Sequence, residues 1–88
     1  MNENINRAGR FRFSTKLIES LSYNVLIDIM KNFIIIKCDY IFHGKYIEYI
    51  AISHLFDEIE KGAVTPEYTI MITQEKNRKH SVSVQRKK

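Results

Sequence analysis

The stretch Phe33–Phe42 constrains the fold more than any other part of this chain. It is rich in β-branched and aromatic residues, and its period of two puts Ile34, Ile36, Cys38, Tyr40 and Phe42 on one face, the pattern of an extended strand. His43-Gly44-Lys45 then breaks the pattern with a glycine able to take the positive backbone angle of a short loop, and Tyr46–Ile52 resumes it, so the two segments predict a hairpin. The hairpin's second face is also partly apolar, through Ile35, Ile41, Ile47, Tyr49 and Ala51. Apolar surface on both faces predicts that another copy of the chain covers part of it, making a homo-oligomer.

Ahead of the hairpin, Leu17, Ile18, Leu21, Val25, Leu26, Ile29 and Met30 recur at three- and four-residue intervals, which predicts one amphipathic helix over Ser14–Met30. Ser14 or Thr15 is suited to cap its start, and Asn32 to take the left-handed position that ends it. Arg10-Phe11-Arg12-Phe13 alternates as a short strand does. After the hairpin, Ser53 is expected to cap a single helical turn over Leu55–Ile59, with Gly62 as the stop. Glu67–Thr73 then supplies a strand with Tyr68, Ile70 and Ile72 on one face, and Ser81–Val84 alternates as a short last strand.

The fold class these pieces predict is α+β: an antiparallel sheet of three to five strands with one long amphipathic helix packed on one face, a two-layer sandwich. Leu21 and Ile36 fall on its buried faces. The 88 residues make one small domain, 1–88, with a polar basic N-terminal segment (1–9) and a basic C-terminal tail (about 76–88). A chain of this length buries only about 60–65% of the surface its unfolded form exposes, so its stability margin is thin.

Charge is distributed unevenly behind the net of +4. Residues 1–16 carry Arg7, Arg10, Arg12 and Lys16 against Glu3, and residues 76–88 carry Lys76, Arg78, Lys79, Arg86, Lys87 and Lys88 with no acid. Between them, four lysines face nine carboxylates. Two basic ends on an acidic body are a statement about partners rather than about fold.

Several classes are disfavoured. The longest apolar run, Phe33–Ile36, falls far short of the roughly 20 residues of a membrane-spanning helix. The polar N-terminus lacks the apolar stretch of a secretory signal, and the single Cys38 excludes an intrachain disulfide, so the cytoplasm is the expected location. The abundance of isoleucine and lysine suggests an AT-rich coding source, common in bacteria and their phages.

Motifs that would carry chemistry are weak. Ser53, His54 and Asp57 hold the residue types of a hydrolytic triad, but a serine adjacent to its histidine does not present its oxygen to that imidazole in line. Cys38, His43, His54 and His80 have no ligand spacing of the C-x-x-C or H-x-x-x-H kind, so no metal is expected. Asp57, Glu58 and Glu60 read as a solvated rim rather than an acid–base pair. Gly9, Gly44 and Gly62 are isolated and form no phosphate-holding loop. Tyr40, Phe42, Tyr46 and Tyr49 suit core packing better than a base-stacking platform, since the chain lacks the sequence signature of such platforms.

The expectation is therefore a small non-enzymatic binding protein, without cofactor, that contacts RNA or DNA through its basic termini. Arg7, Arg10, Arg12, Lys76, Arg78, Lys79, Arg86, Lys87 and Lys88 would pair with backbone phosphates, and Phe11 and Phe13, interleaved with arginines, would stack on bases. The rival is a phage or mobile-element protein-interaction module that inhibits a host enzyme or defence complex. It would use the acidic rim Asp57, Glu58, Glu60 and Glu67, or sequester a nucleotide in an oligomer interface.

Overall fold

A computed structural model describes residues 6–76 and 80–87. Its elements run in the order β1 (Ala8–Ser14), α1 (Thr15–Ser20), α2 (Tyr23–Met30), β2 (Ile34–Ile41), β3 (Tyr46–Ile52), β4 (Tyr68–Gln74) and β5 (His80–Arg86). Strands take 47% of the described residues and helices only 19%, so the sandwich built on one long helix is corrected to a mostly-β fold with two short helices.

The helix breaks at a pair of serines. Ser14 caps α1, its hydroxyl accepting from the Leu17 N–H at 3.1 Å, while the Ser20 hydroxyl donates to the Leu17 carbonyl at 2.7 Å. Leu21 is then extended at φ −91°, ψ 141°, and Ser22 caps a second helix by accepting from the Val25 N–H. Serine hydroxyls compete with the backbone for the helix's own hydrogen bonds, which is why they favour ends over interiors. The three- and four-residue spacing survives the break because both helices turn their apolar sides to the same core: Leu17, Ile18, Leu21, Val25 and Met30 pack against the buried cluster that includes Ile29, Phe11 and Phe33. Asn32 ends α2 differently from the expectation. Its side-chain amide, not a left-handed backbone, satisfies the last carbonyls, donating to Asp28 and Ile29 at 3.2 and 2.9 Å.

Strand β3 is the middle of an antiparallel three-stranded sheet in the order β1-β3-β2, and β4 and β5 form a separate antiparallel pair. A single parallel bridge, Arg10 to Glu67, joins the edge of β1 to the start of β4. Across the larger sheet Phe11 sits opposite Tyr49 and Phe13 opposite Ile47, so β1 turns its phenylalanines to one face and Arg10 and Arg12 to the other. The helices lie on the phenylalanine face.

Aromatic rings fill the core. Phe11 is fully buried, 4.7 Å from Phe33 and 5.2 Å from Tyr49 between ring centroids, and Phe56 stacks on Tyr68 at 4.5 Å. Ile70 and Ile72 of β4 and Val82 and Val84 of β5 close that core from the second pair of strands. Gly9 has its place because Phe56 lies over it, where a Cβ would come within 2.7 Å of the ring.

Three further expectations are corrected. In the hairpin loop it is Lys45, at φ 53°, that takes the positive backbone angle, while Gly44 is required because a Cβ there would collide with the Tyr46 ring. No helical turn forms over Leu55–Ile59; instead the buried Ser53 donates to the Asn32 carbonyl at 2.7 Å and accepts from the Leu55 N–H at 3.1 Å, steering Phe56 into the core. Strand β2, expected as a buried strand, is exposed along nearly its whole length, with a bulge between Ile35 and Lys37, and Ile36 is 59% exposed rather than part of the core.

Candidate functional site

The fold draws the two basic ends of the chain together at one carboxylate. Arg10 reaches it because β1 docks against the start of β4, its backbone N–H donating to the Pro66 carbonyl at 2.9 Å. Lys87 reaches it because β5 runs back alongside β4, and its backbone N–H donates to the Glu67 carbonyl at 2.9 Å. The Lys87 ammonium then donates to Glu67 Oε2 at 3.1 Å, and the Arg10 guanidinium stands 3.9 Å from Oε1. Hydrogen bonding to Lys87 holds the Glu67 carboxyl below the usual carboxylate range, against partial burial, with the charges of Lys87, Arg12 and Arg10 adding to the effect.

Two residues along β1, Arg12 donates from Nε to Glu48 Oε2 at 3.1 Å, and its guanidinium lies over the Tyr46 ring at 4.7 Å. That bond raises the Arg12 pKa further, so its charge is permanent. Arg10 is less committed: its Nε has no hydrogen-bond partner among the described residues. At the end of the strands, Arg7 donates to the Phe56 carbonyl at 2.9 Å and Arg86 stands 3.8 Å from Asp57. Three of these cations, Arg10, Arg12 and Lys87, thus stand around two carboxylates, Glu48 and Glu67, while Arg7 and Arg86 form a separate group at Phe56 and Asp57. The cluster keeps a positive excess, and most of its pairs are half-exposed.

The other predicted site residues fare differently. Phe11 and Phe13 are in the core, 0% and 3% exposed, and have no free ring face to offer a base; the alternation that turns the arginines outward necessarily turns the phenylalanines inward. Lys76 is exposed beyond β4, whereas Arg78, Lys79 and Lys88 lie outside the described residues. The segment expected as a basic tail contains β5, so Arg86 and Lys87 are held at the end of a strand. Glu48, which orients Arg12, was not singled out from sequence, and Tyr46 was weighed there only as a core or base-stacking aromatic, not as the partner of Arg12. Their signal was available only through the register that sets β1 against β3, Arg12 opposite Glu48.

The residues that suggested other chemistry are occupied elsewhere. The Ser53 hydroxyl is hydrogen-bonded to the Asn32 carbonyl and Asp57 pairs with Arg86, so no triad assembles. A cleft of about 170 Å³ between Lys31–Ile34 and Ile52–His54 is open to solvent. Among the described residues no group of three metal-ligating side chains comes together, and no helix is long and apolar enough to cross a membrane. In the acidic rim, Asp57 and Glu67 are both engaged by cations of this same chain.

Comparison with protein-family models, curated proteins and solved structures finds no match to this chain.

Proposed function

We propose that the protein is a non-enzymatic cytoplasmic binding protein that grips the phosphate backbone of RNA or DNA with Arg7, Arg10, Arg12, Arg86 and Lys87. The observation that carries this reading is the convergence of both basic ends on Glu67, from opposite ends of the chain. Half-exposed ion pairs are worth only about 0.2–1 kcal/mol each, so a phosphate can take over an arginine or lysine from its carboxylate at small cost. Arg12, held over Tyr46 and bonded through Nε, is already oriented for a phosphate at the rest of its planar fork. With Phe11 and Phe13 in the core, the contact is to backbone rather than to bases, and sequence preference is weak.

Titration against duplex RNA and DNA at several salt concentrations tests this. Each neutralised phosphate contributes a slope of about −0.9 in log affinity against log salt, so five engaged cations give roughly −4 to −5. The Arg10→Gln/Arg12→Gln double variant should flatten that slope by about 2. Affinity no tighter than millimolar at low salt, or a slope the double variant leaves unchanged, would overturn the reading in favour of a protein-interaction module, for which the exposed apolar strand β2 is the supporting observation.

A further inference from the structure

Strand β2 is an edge with an unusual surface. Among the described residues it pairs on one side only, with β3, and its other edge leaves a row of backbone N–H and C=O groups open. Around that edge stand Ile34, Ile36, Tyr40 and the adjoining Phe42, which are 64%, 59%, 56% and 73% exposed. Proteins ordinarily protect such an edge with a lone lysine or a bulge. Here the bulge is present at Ile36, but the lysine is not alone: Lys37 pairs with Asp39 of the same strand at 3.4 Å.

We infer that β2 pairs antiparallel with β2 of a second copy of this chain, about a two-fold axis at Cys38, so that the two three-stranded sheets become one of six strands. The charges select both the partner and the register. With the axis at Cys38, each Lys37 stands opposite the partner's Asp39 and each Asp39 opposite the partner's Lys37. Moving the axis one residue to Lys37 or to Asp39 sets like charges directly against each other, which is destabilising on a sheet. The side chains agree with the charges. If Ile36 is bulged out of the new ladder as it is out of the ladder with β3, Ile35 meets the partner's Tyr40 and Ile34 meets the partner's Ile41. Each of those pairs shares a face, because β3 sets Ile35 and Tyr40 on the helix side and Ile34 and Ile41 on the other. The same strand therefore matches itself in charge, in face and around its bulge, which a strand shaped for an unrelated partner has no reason to do.

Sedimentation of the full chain and two charge variants tests the pairing. Wild type should dimerise at micromolar concentration, and Lys37→Asp or Asp39→Lys alone should weaken the dimer roughly tenfold or more, since two cross-strand pairs turn from attractive to repulsive. Mixing the two variants should restore the dimer, because one strand then carries two acids and the other two bases in matching positions. Cys38 gives an independent readout. Directly opposed residues of antiparallel strands have Cα atoms about 4.5–5.5 Å apart, within the range a disulfide spans. Under added diamide the two Cys38 thiols should give up two protons and two electrons to the reagent and form one intermolecular S–S bond in wild type and in the mixture, and far more slowly in either variant alone. Lys37, Cys38 and Asp39 are all exposed, so circular dichroism should show the variants folded. A wild type that stays monomeric to high micromolar concentration, or single variants that dimerise and cross-link as wild type does, would overturn the inference.

Discussion

A phenylalanine between two arginines can serve a ligand or a core, and in β1 the partner strand decides between them. Tyr49 and Ala51 of β3 stand on the same face as Phe11, and Phe33 and Phe56 close over it, so the ring is fully buried. The residue-by-residue consequences differ from what periodicity predicts. Phe56, in a segment with no regular structure, touches Phe11, Phe33 and Tyr68, and Phe56→Ala should cost about 3–5 kcal/mol in urea unfolding. Ile36, the expected core residue, is bulged and exposed, so Ile36→Ala should stay within about 0.5 kcal/mol of wild type. Equal losses in the two variants would contradict this assignment of the core. The outward arginines were legible from alternation alone; the identity of Arg12's carboxylate, Glu48, was not, since it lies 36 residues away.

Among the elements, strands were easier to read than helices. Alternation along Glu67–Thr73 and Ser81–Val84 corresponds to β4 and β5 with Ile70, Ile72, Val82 and Val84 half-buried, because a period of two has no other common structural source. Helical spacing is less decisive: it reports which side chains share a face and says nothing of a break that preserves that face. The break had a local signal in the serines flanking Leu21. Ser22→Ala should therefore lower stability by about 0.5–2 kcal/mol, towards the small end because the capping bond is long at 3.4 Å, and should reduce the helical signal in circular dichroism. No change in either measurement would show that α2 does not depend on this cap. The exposure of β2 had no local signal at all, since an edge strand and a central strand carry the same alternation when both faces are apolar.

For the molecule as a whole, Glu67 ties the first strand to Lys87, just past the end of β5, and its titration should register in global stability. Its carboxyl is held below the ordinary 4.5, so the folded state favours the charged form. That contribution is complete above about pH 4.5 and is lost as pH falls through the lower, folded-state value. Glu67→Gln should lower the urea midpoint at pH 7 by an amount equivalent to about 0.2–1 kcal/mol, the range of exposed pairs, and the gap to wild type should narrow towards pH 3. A gap independent of pH would mean that the residue contributes by packing and not by charge. The sequence by itself determined the hairpin, the two later strands, the outward face of β1 and the segregation of charge, because each follows from spacing within a few residues. Only the tertiary structure decided that the basic ends meet, that the aromatics of β1 and the loop share one core, and that β2 lies at an edge. Those depend on which strand pairs with which, and strand pairing joins residues tens of positions apart through backbone groups that every residue carries alike.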